Sequence, residues 1–223
     1  LFGLILAREA DVRVRQDVIE RGVNFLTGEM ITEMDYFKKH TYRANPQAFS
    51  SYVLALAGKP ATKTMDILFK ERDYLSVYGK ALLSLAYVKA GNRKRAGLLL
   101  ENVLQYIKRD DENETAWLET ARDGWWYWYN SDIETNAWCL RALVRLEPHS
   151  PAAPRLVKWL LENRRNGYYW RSTRDTTLCV AAMSEFALAS GESRPDCTVS
   201  IDLDDGAVRK QVRITPENFF TYD

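Results

Sequence analysis

Cysteine and histidine are scarce. The 223 residues hold three cysteines, Cys139, Cys179 and Cys197, and two histidines, His40 and His149. No two cysteines form a Cys-x-x-Cys pair, which argues against a zinc site. Long apolar runs are missing too, and none approaches the roughly 20 residues that a membrane span needs. Nor is charge of one sign in excess. The net charge of +1 gives no reason to expect a nucleic-acid or acidic partner. There is no leader-like segment, but Leu1-Phe-Gly-Leu-Ile-Leu-Ala already reads as a helix. The chain reads as beginning in mid-architecture, so that absence says nothing about a parent protein.

What is present is a packed, helical chain. A hydrophobic share of 46% and seven tryptophans suit one sizeable core rather than disorder. Asp132-Ile-Glu-Thr-Asn-Ala-Trp-Cys-Leu-Arg-Ala-Leu143 has an echo in Ser172-Thr-Arg-Asp-Thr-Thr-Leu-Cys-Val-Ala-Ala-Met183. In both, an acidic residue and a threonine sit just ahead of the expected first turn, where they can accept free backbone N–H groups. Two further segments fit the same frame. Val53, Leu82, Leu140 and Val180 form one column, Ala55, Ser84, Ala142 and Ala182 a second, and Leu56, Leu85, Leu143 and Met183 a third. Columns three residues apart share a helix face, and the small column lets neighbouring helices approach closely. Cys139 and Cys179 fall on this apolar face and read as small core residues.

The pattern predicts helices over 1–9, 12–26, 48–56, 61–71, 76–90, 93–108, 135–146, 154–164 and 176–190. Residues 30–46 read as mostly loop. Apolar inner-type helices alternate with charged partners such as Leu156-Val-Lys-Trp-Leu-Leu161, which suit an outer layer with one wet face. Gly58-Lys-Pro60, Gly91-Asn92, Pro148-His-Ser-Pro151 and Asn166-Gly167 break the hairpins. Residues 110–131 interrupt the array and contain the aromatic cluster Trp125, Trp126, Trp128 and Tyr129, read mainly as packing. After Gly191 the composition changes. Residues 197–214 alternate apolar and polar around Asp205-Gly206, a hairpin signal. Two domains are therefore expected, a helical one over 1–192 and the start of a β domain over 193–223.

Helical hairpins of this length stack into an open solenoid or close into an α/α toroid, and periodicity alone leaves both open. Leu75-Ser-Val-Tyr-Gly-Lys-Ala-Leu-Leu-Ser-Leu-Ala86, the 132–143 segment and Trp170-Arg-Ser-Thr-Arg-Asp-Thr-Thr177 carry a resemblance. They resemble the thioester domain of the α2-macroglobulin family, in its bacterial branch, across about residues 1–190. Ser172-Thr-Arg-Asp-Thr176 is similar to the family's Ser-Thr-Gln-Asp-Thr stretch, with Arg174 in place of Gln. The resemblance implies an all-α toroid of helical hairpins followed by a short β-rich segment. It implies part of an extracytoplasmic protease trap that is not itself an enzyme. Its partners would be target proteases, reached through the full-length parent, and neighbouring domains of the same chain. The family's Cys-x-Glu-Gln thioester motif is absent. Three places after Cys139, Cys179 and Cys197 stand Ala142, Ala182 and Ser200. In the family that motif sits near the domain's N-terminal end, so here it would fall upstream of Leu1, or the parent is one of the members that lack it.

No residue is assigned a catalytic, cofactor-binding or metal-ligating role. Asp202-Leu-Asp-Asp205 matches the acid motif of a class of terpene cyclases that also use toroids, but it lies at an expected turn. His40 and His149 lack neighbours at ligand spacing and read as loop residues. Asp132, Glu134 and Asp175 pair formally as glycosidase carboxylates, yet their place at helix starts suits caps. Asn113-Glu-Thr115 matches a glycosylation sequon by pattern. A toroid enzyme would need an open, carboxylate-lined hub. The inhibitor reading expects a hub filled by Val, Leu, Ala and Cys, and a third reading, a plain interaction scaffold of the same fold, expects a large exposed aromatic patch without an upstream thioester.

Overall fold

The computed structural model describes residues 1–119, 131–191, 194–203 and 208–218. Its helices are α1 (Phe2–Glu9), α2 (Gln16–Gly28), α3 (Tyr36–Lys39), α4 (Ala44–Leu56), α5 (Thr62–Lys70), α6 (Val77–Lys89), α7 (Arg93–Leu104), α8 (Asp132–Leu146), α9 (Ala152–Glu162) and α10 (Thr173–Ser190). Two antiparallel hairpins add β1 (Ile107–Asp110) with β2 (Thr115–Leu118), and β3 (Cys197–Leu203) with β4 (Val208–Ile214).

The helices form an α/α toroid. α4, α6, α8 and α10 stand side by side as inner helices, while α5, α7 and α9 each pack outside the inner helix beside them in sequence. Burial follows that division. Nine of the thirteen residues of α6 are buried, and α8 is buried from Glu134 through Val144. α9 buries only Ala152, Ala153, Leu156 and Leu160 and keeps a wet face. The small column does what its size allows. Ser84 is fully buried in α6, and its hydroxyl donates to the Ala96 carbonyl of α7 at 2.9 Å, so close approach leaves no orphan polar group. Leu82, Leu140 and Val53 are core, but Val180 is 51% exposed. α10 packs on α8 and α9, and Val180 lies on a part of it left open to solvent.

Several boundaries differ from the sequence pattern. Ser131 and Ser172 are the caps of α8 and α10, their hydroxyls accepting from the N–H of Glu134 at 3.5 Å and of Asp175 at 3.1 Å. Both helices thus begin three residues before the expected starts, with Asp132, Glu134 and Asp175 inside the first turn, where the helix dipole favours acids. The stretch 30–46 is more ordered than expected. It holds α3, a 3-10 turn at Thr41–Arg43, and the start of α4. Pro46 is no obstacle there, because a first-turn N–H has no intrahelical acceptor to lose. α7 ends at Leu104 rather than 108, because Ile107–Asp110 pairs as a strand with Thr115–Leu118. That hairpin is tied to the array by Asn136 of α8. Its side chain accepts from the Leu118 N–H at 2.8 Å and donates to the Leu118 carbonyl at 2.9 Å. The 197–214 alternation does form a hairpin, in the register Cys197↔Ile214 through Leu203↔Val208. The Trp125, Trp126, Trp128 and Tyr129 cluster, the Asp205-Gly206 turn and the 192/193 boundary lie outside the described residues.

One close approach sets the α4–α6 spacing. Asn45 accepts through Oδ1 from Ser76 N–H at 3.1 Å and Ser76 Oγ at 3.2 Å, joining the start of α4 to the cap of α6. A Cβ on Gly79 would run into that oxygen. Gly79→Ala gains about 1 kcal/mol of helix propensity but displaces Asn45 and overpacks the contact, a cost of about 1–3 kcal/mol. Urea unfolding of Gly79→Ala should therefore show a net loss of stability, whereas Gly97→Ala, with open space around its Cβ, should show a gain.

Candidate functional site

An enzyme built on this fold would keep its hub open. Among the described residues the hub is packed with side chains. Phe2 of α1 reaches across to α4 and α8, with its ring 5.6 Å from Phe49 and 6.1 Å from both Tyr52 and Trp138. Tyr52 and Trp138 meet edge to face at 5.6 Å, and both are buried. Pairs of this kind add about 0.5–1.5 kcal/mol each beyond the area they bury. Of the expected Val, Leu, Ala and Cys, Val53, Leu82, Leu140, Ala142 and Cys139 are buried and Val180 is not, and aromatics absent from that expectation pack among the inner helices.

Beside them runs a charged network. Arg141 is 3% exposed, lies 4.8 Å over the Trp138 ring, and donates to Glu185 of α10 through Nε at 3.0 Å and Nη2 at 2.6 Å. Arg145, one turn on, donates to the same carboxylate through Nε at 2.9 Å and Nη2 at 2.8 Å. Arg141 Nη2 also donates to Tyr52 Oη at 3.4 Å, which brings α4 in. Burial alone would push the Glu185 carboxyl up, but the two guanidiniums bonded to it outweigh that and hold it below the usual range. Arg141 and Arg145 are the signal that composition underuses, because a cation on an otherwise apolar helix face needs a buried anion.

The candidate acids fall elsewhere. Glu134 is 3% exposed, and its Oε1 accepts from Trp138 Nε1 at 3.2 Å and from Arg174 of α10. Burial pushes its carboxyl up, with Arg174 and Trp138 only partly offsetting. Asp175 is also buried and close enough to raise Glu134 further, so both carboxylates sit in the packed interior. Asp132 stays in the first turn of α8. Arg174, which stands where the resembled motif has Gln, is the ion partner of Glu134.

The remaining candidates stay apart. His40 stacks on Tyr36 at 4.2 Å with Nδ1 3.1 Å from the Tyr36 carbonyl, and His149 is exposed in the α8–α9 link. Asp202 pairs with Arg209 at 3.0 Å on the β3–β4 hairpin, away from the hub, and Asp204 and Asp205 lie outside the described residues. Burial pushes the Cys139 thiol far up and Cys179 to about 12, so neither is a ready nucleophile. Cys197 is exposed and free. Among the described residues, no group of three His, Cys, Asp or Glu side chains could hold a metal ion.

Comparison with known proteins agrees with this geometry. The family model for the A-macroglobulin TED domain, the thioester-containing domain, matches residues 62–186, more than half of the chain. An alpha-2-macroglobulin of Thermotoga maritima is 25% identical over 189 residues, a span covering 82% of this chain and 9% of that protein. Salmonella alpha-2-macroglobulin reacted with methylamine superposes with a TM-score of 0.60 at 21% identity, covering 94% of this chain and 13% of that one. A tyrosine-to-glycine mutant of the Salmonella protein gives 0.61 over the same shares. The chain thus spans about a tenth of the relatives it matches.

Half-buried Glu185 and buried Glu134 should answer mutation differently. Glu185→Gln takes the carboxylate from buried Arg141 and from half-buried Arg145 and should cost about 1.5–3 kcal/mol in denaturant unfolding at neutral pH. Because the folded pKa of Glu185 lies below its ordinary 4.5, its contribution is complete above that value and fades as pH falls through the lower one. Wild type should therefore lose more stability than Glu185→Gln on acidification below 4.5. Glu134→Gln keeps an acceptor for both donors and removes a desolvated charge, so it should stay within about 1 kcal/mol of wild type.

Proposed function

The chain belongs to the A-macroglobulin TED domain family, and on that premise we propose that it forms part of an extracytoplasmic, α2-macroglobulin-like endopeptidase inhibitor. The observation that carries this reading is the filled hub in a chain of this family. A toroid lyase, transferase or glycosidase would hold its substrate where Phe2, Tyr52 and Trp138 pack. The domain acts as a rigid body that shields and presents a reactive group rather than as a catalyst.

That group is an internal thioester supplied by another segment of the parent, since none of the three cysteines here begins a Cys-x-Glu-Gln motif. An activated acyl group persists only while water is excluded. Cleavage of a bait segment by the target protease rearranges the parent and exposes the thioester. A nucleophile of the protease then attacks the acyl carbon. The new bond ties protease to trap, and the cysteine leaves as a thiolate.

Residues 193–223 form the start of the next, β-rich domain in this account. Cys197, Val199 and Ile201 alternate with Thr198, Ser200 and Asp202 along β3, which gives the hairpin one apolar and one polar face. Val199 and Ile201 are 40% and 39% exposed. A two-stranded hairpin is marginal in water by itself, and further strands would cover this face.

The test uses the full-length parent, by intact mass and free-thiol titration before and after methylamine. One added methylamine with one new thiol is expected. An unchanged mass and thiol count in folded protein would overturn the covalent mechanism and leave trapping by enclosure, which protease-protection assays would then measure.

A further inference from the structure

The β1–β2 turn carries a feature that the inhibitor reading leaves unused. Four residues, 111–114, link the strands, and all are exposed. Asn113 donates its backbone N–H to Asp110 Oδ1 at 3.0 Å and its side-chain Nδ2 to Asp110 Oδ2 at 2.8 Å. Glu114 follows in the left-handed region at φ 52°, closing the turn. Thr115 then enters β2 and is 3% exposed. Asn113-Glu-Thr115 is the pattern that oligosaccharyltransferases modify. The stretch is longer than that minimum, since it reads Asp111-Glu-Asn-Glu-Thr115. An acidic residue two places before the asparagine is the extended form that bacterial-type transferases select.

We propose that Asn113 is an acceptor for an N-linked glycan donated by a polyprenyl-diphosphate-linked oligosaccharide. The Asn113 Nδ2 bonds to the sugar C1, the C1–O bond to the diphosphate breaks, and the lipid diphosphate leaves. One amide proton passes to a base of the transferase. The folded turn accommodates the product. A glycosylated Nδ2 keeps one N–H, enough to go on donating to Asp110, and the exposed turn has room for the sugar. The same structure dictates when transfer occurs. The threonine that the transferase must read is a 3% exposed residue once β2 has packed on α9, so the glycan is added before the hairpin folds. The inference rests on the extracytoplasmic reading only for the compartment, and the experiment supplies that compartment independently.

The full chain, carrying a known acceptor peptide at its C-terminus, is exported to the periplasm of a bacterium that expresses a transferase of the acid-dependent class and its lipid-linked oligosaccharide. Intact mass should show two glycans, falling to one in Asn113→Gln. It should also fall to one in Asp111→Ala, which leaves the Asp110–Asn113 bonds of the turn in place. Purified, folded chain exposed to the same enzyme afterwards should gain a glycan on the peptide alone. A glycan confined to the acceptor peptide in the exported wild type would overturn the proposal, because the peptide reports that enzyme and chain met.

Discussion

One carboxylate, Glu185, answers two guanidiniums inside the helical array, and the arrangement of the hub depends on it. Arg141 is buried among Trp138, Tyr52 and Glu185, so no water is at hand to solvate it. Its charge is tolerable only because α10 delivers Glu185 to that spot. The same carboxylate takes Arg145, and Tyr52 Oη takes a further N–H from Arg141, so α4, α8 and α10 are held in one register. Apolar packing alone is permissive about register, since Leu and Ala faces slide at modest cost. An ion triad that includes buried Arg141 is not, because a shift of one turn would strand that charge.

The aromatic cluster beside it makes the hub a solid. Phe2 lies across Phe49, Tyr52 and Trp138, and the Arg141 guanidinium caps the Trp138 ring. On the other side, Glu134 receives Trp138 Nε1 and ties it to Arg174. Trp138 is therefore gripped on its face by one ion pair and at its nitrogen by another. This is the design of a body that moves as a unit, and it matches a domain whose role in the proposed trap is to be repositioned rather than to bind substrate within its centre.

Much of the fold was legible in the sequence because period and residue size govern it. Leu82 and Leu140 fall on the core face, Ser84 and Ala142 sit where helices come close, and the glycines and prolines mark hairpin breaks. What escaped the pattern depends on partners distant in sequence. The start of β1 looked like the end of a helix and β2 fell in the stretch read as an insert, since nothing local announces that Asn136 will bind the Leu118 backbone. The acids at the starts of α8 and α10 looked like caps, but Ser131 and Ser172 hold that position, and Glu134 is left free to enter the core. Val180 fits the column of Leu140, yet its exposure is set by where α10 stands in the array, which no residue of the repeat encodes.

The central claim is that the toroid is a rigid, filled support within a larger trap. Hydrogen–deuterium exchange on the full-length parent, before and after protease treatment, tests it most directly. If the domain moves as a solid body, amides of α4, α6 and α8 keep the same slow exchange in both states, and changes are confined to exposed edges such as the α10 face and the β3–β4 hairpin. Loss of protection in α8 around Trp138 and Arg141 after cleavage would contradict the account, because it would mean that the hub itself opens.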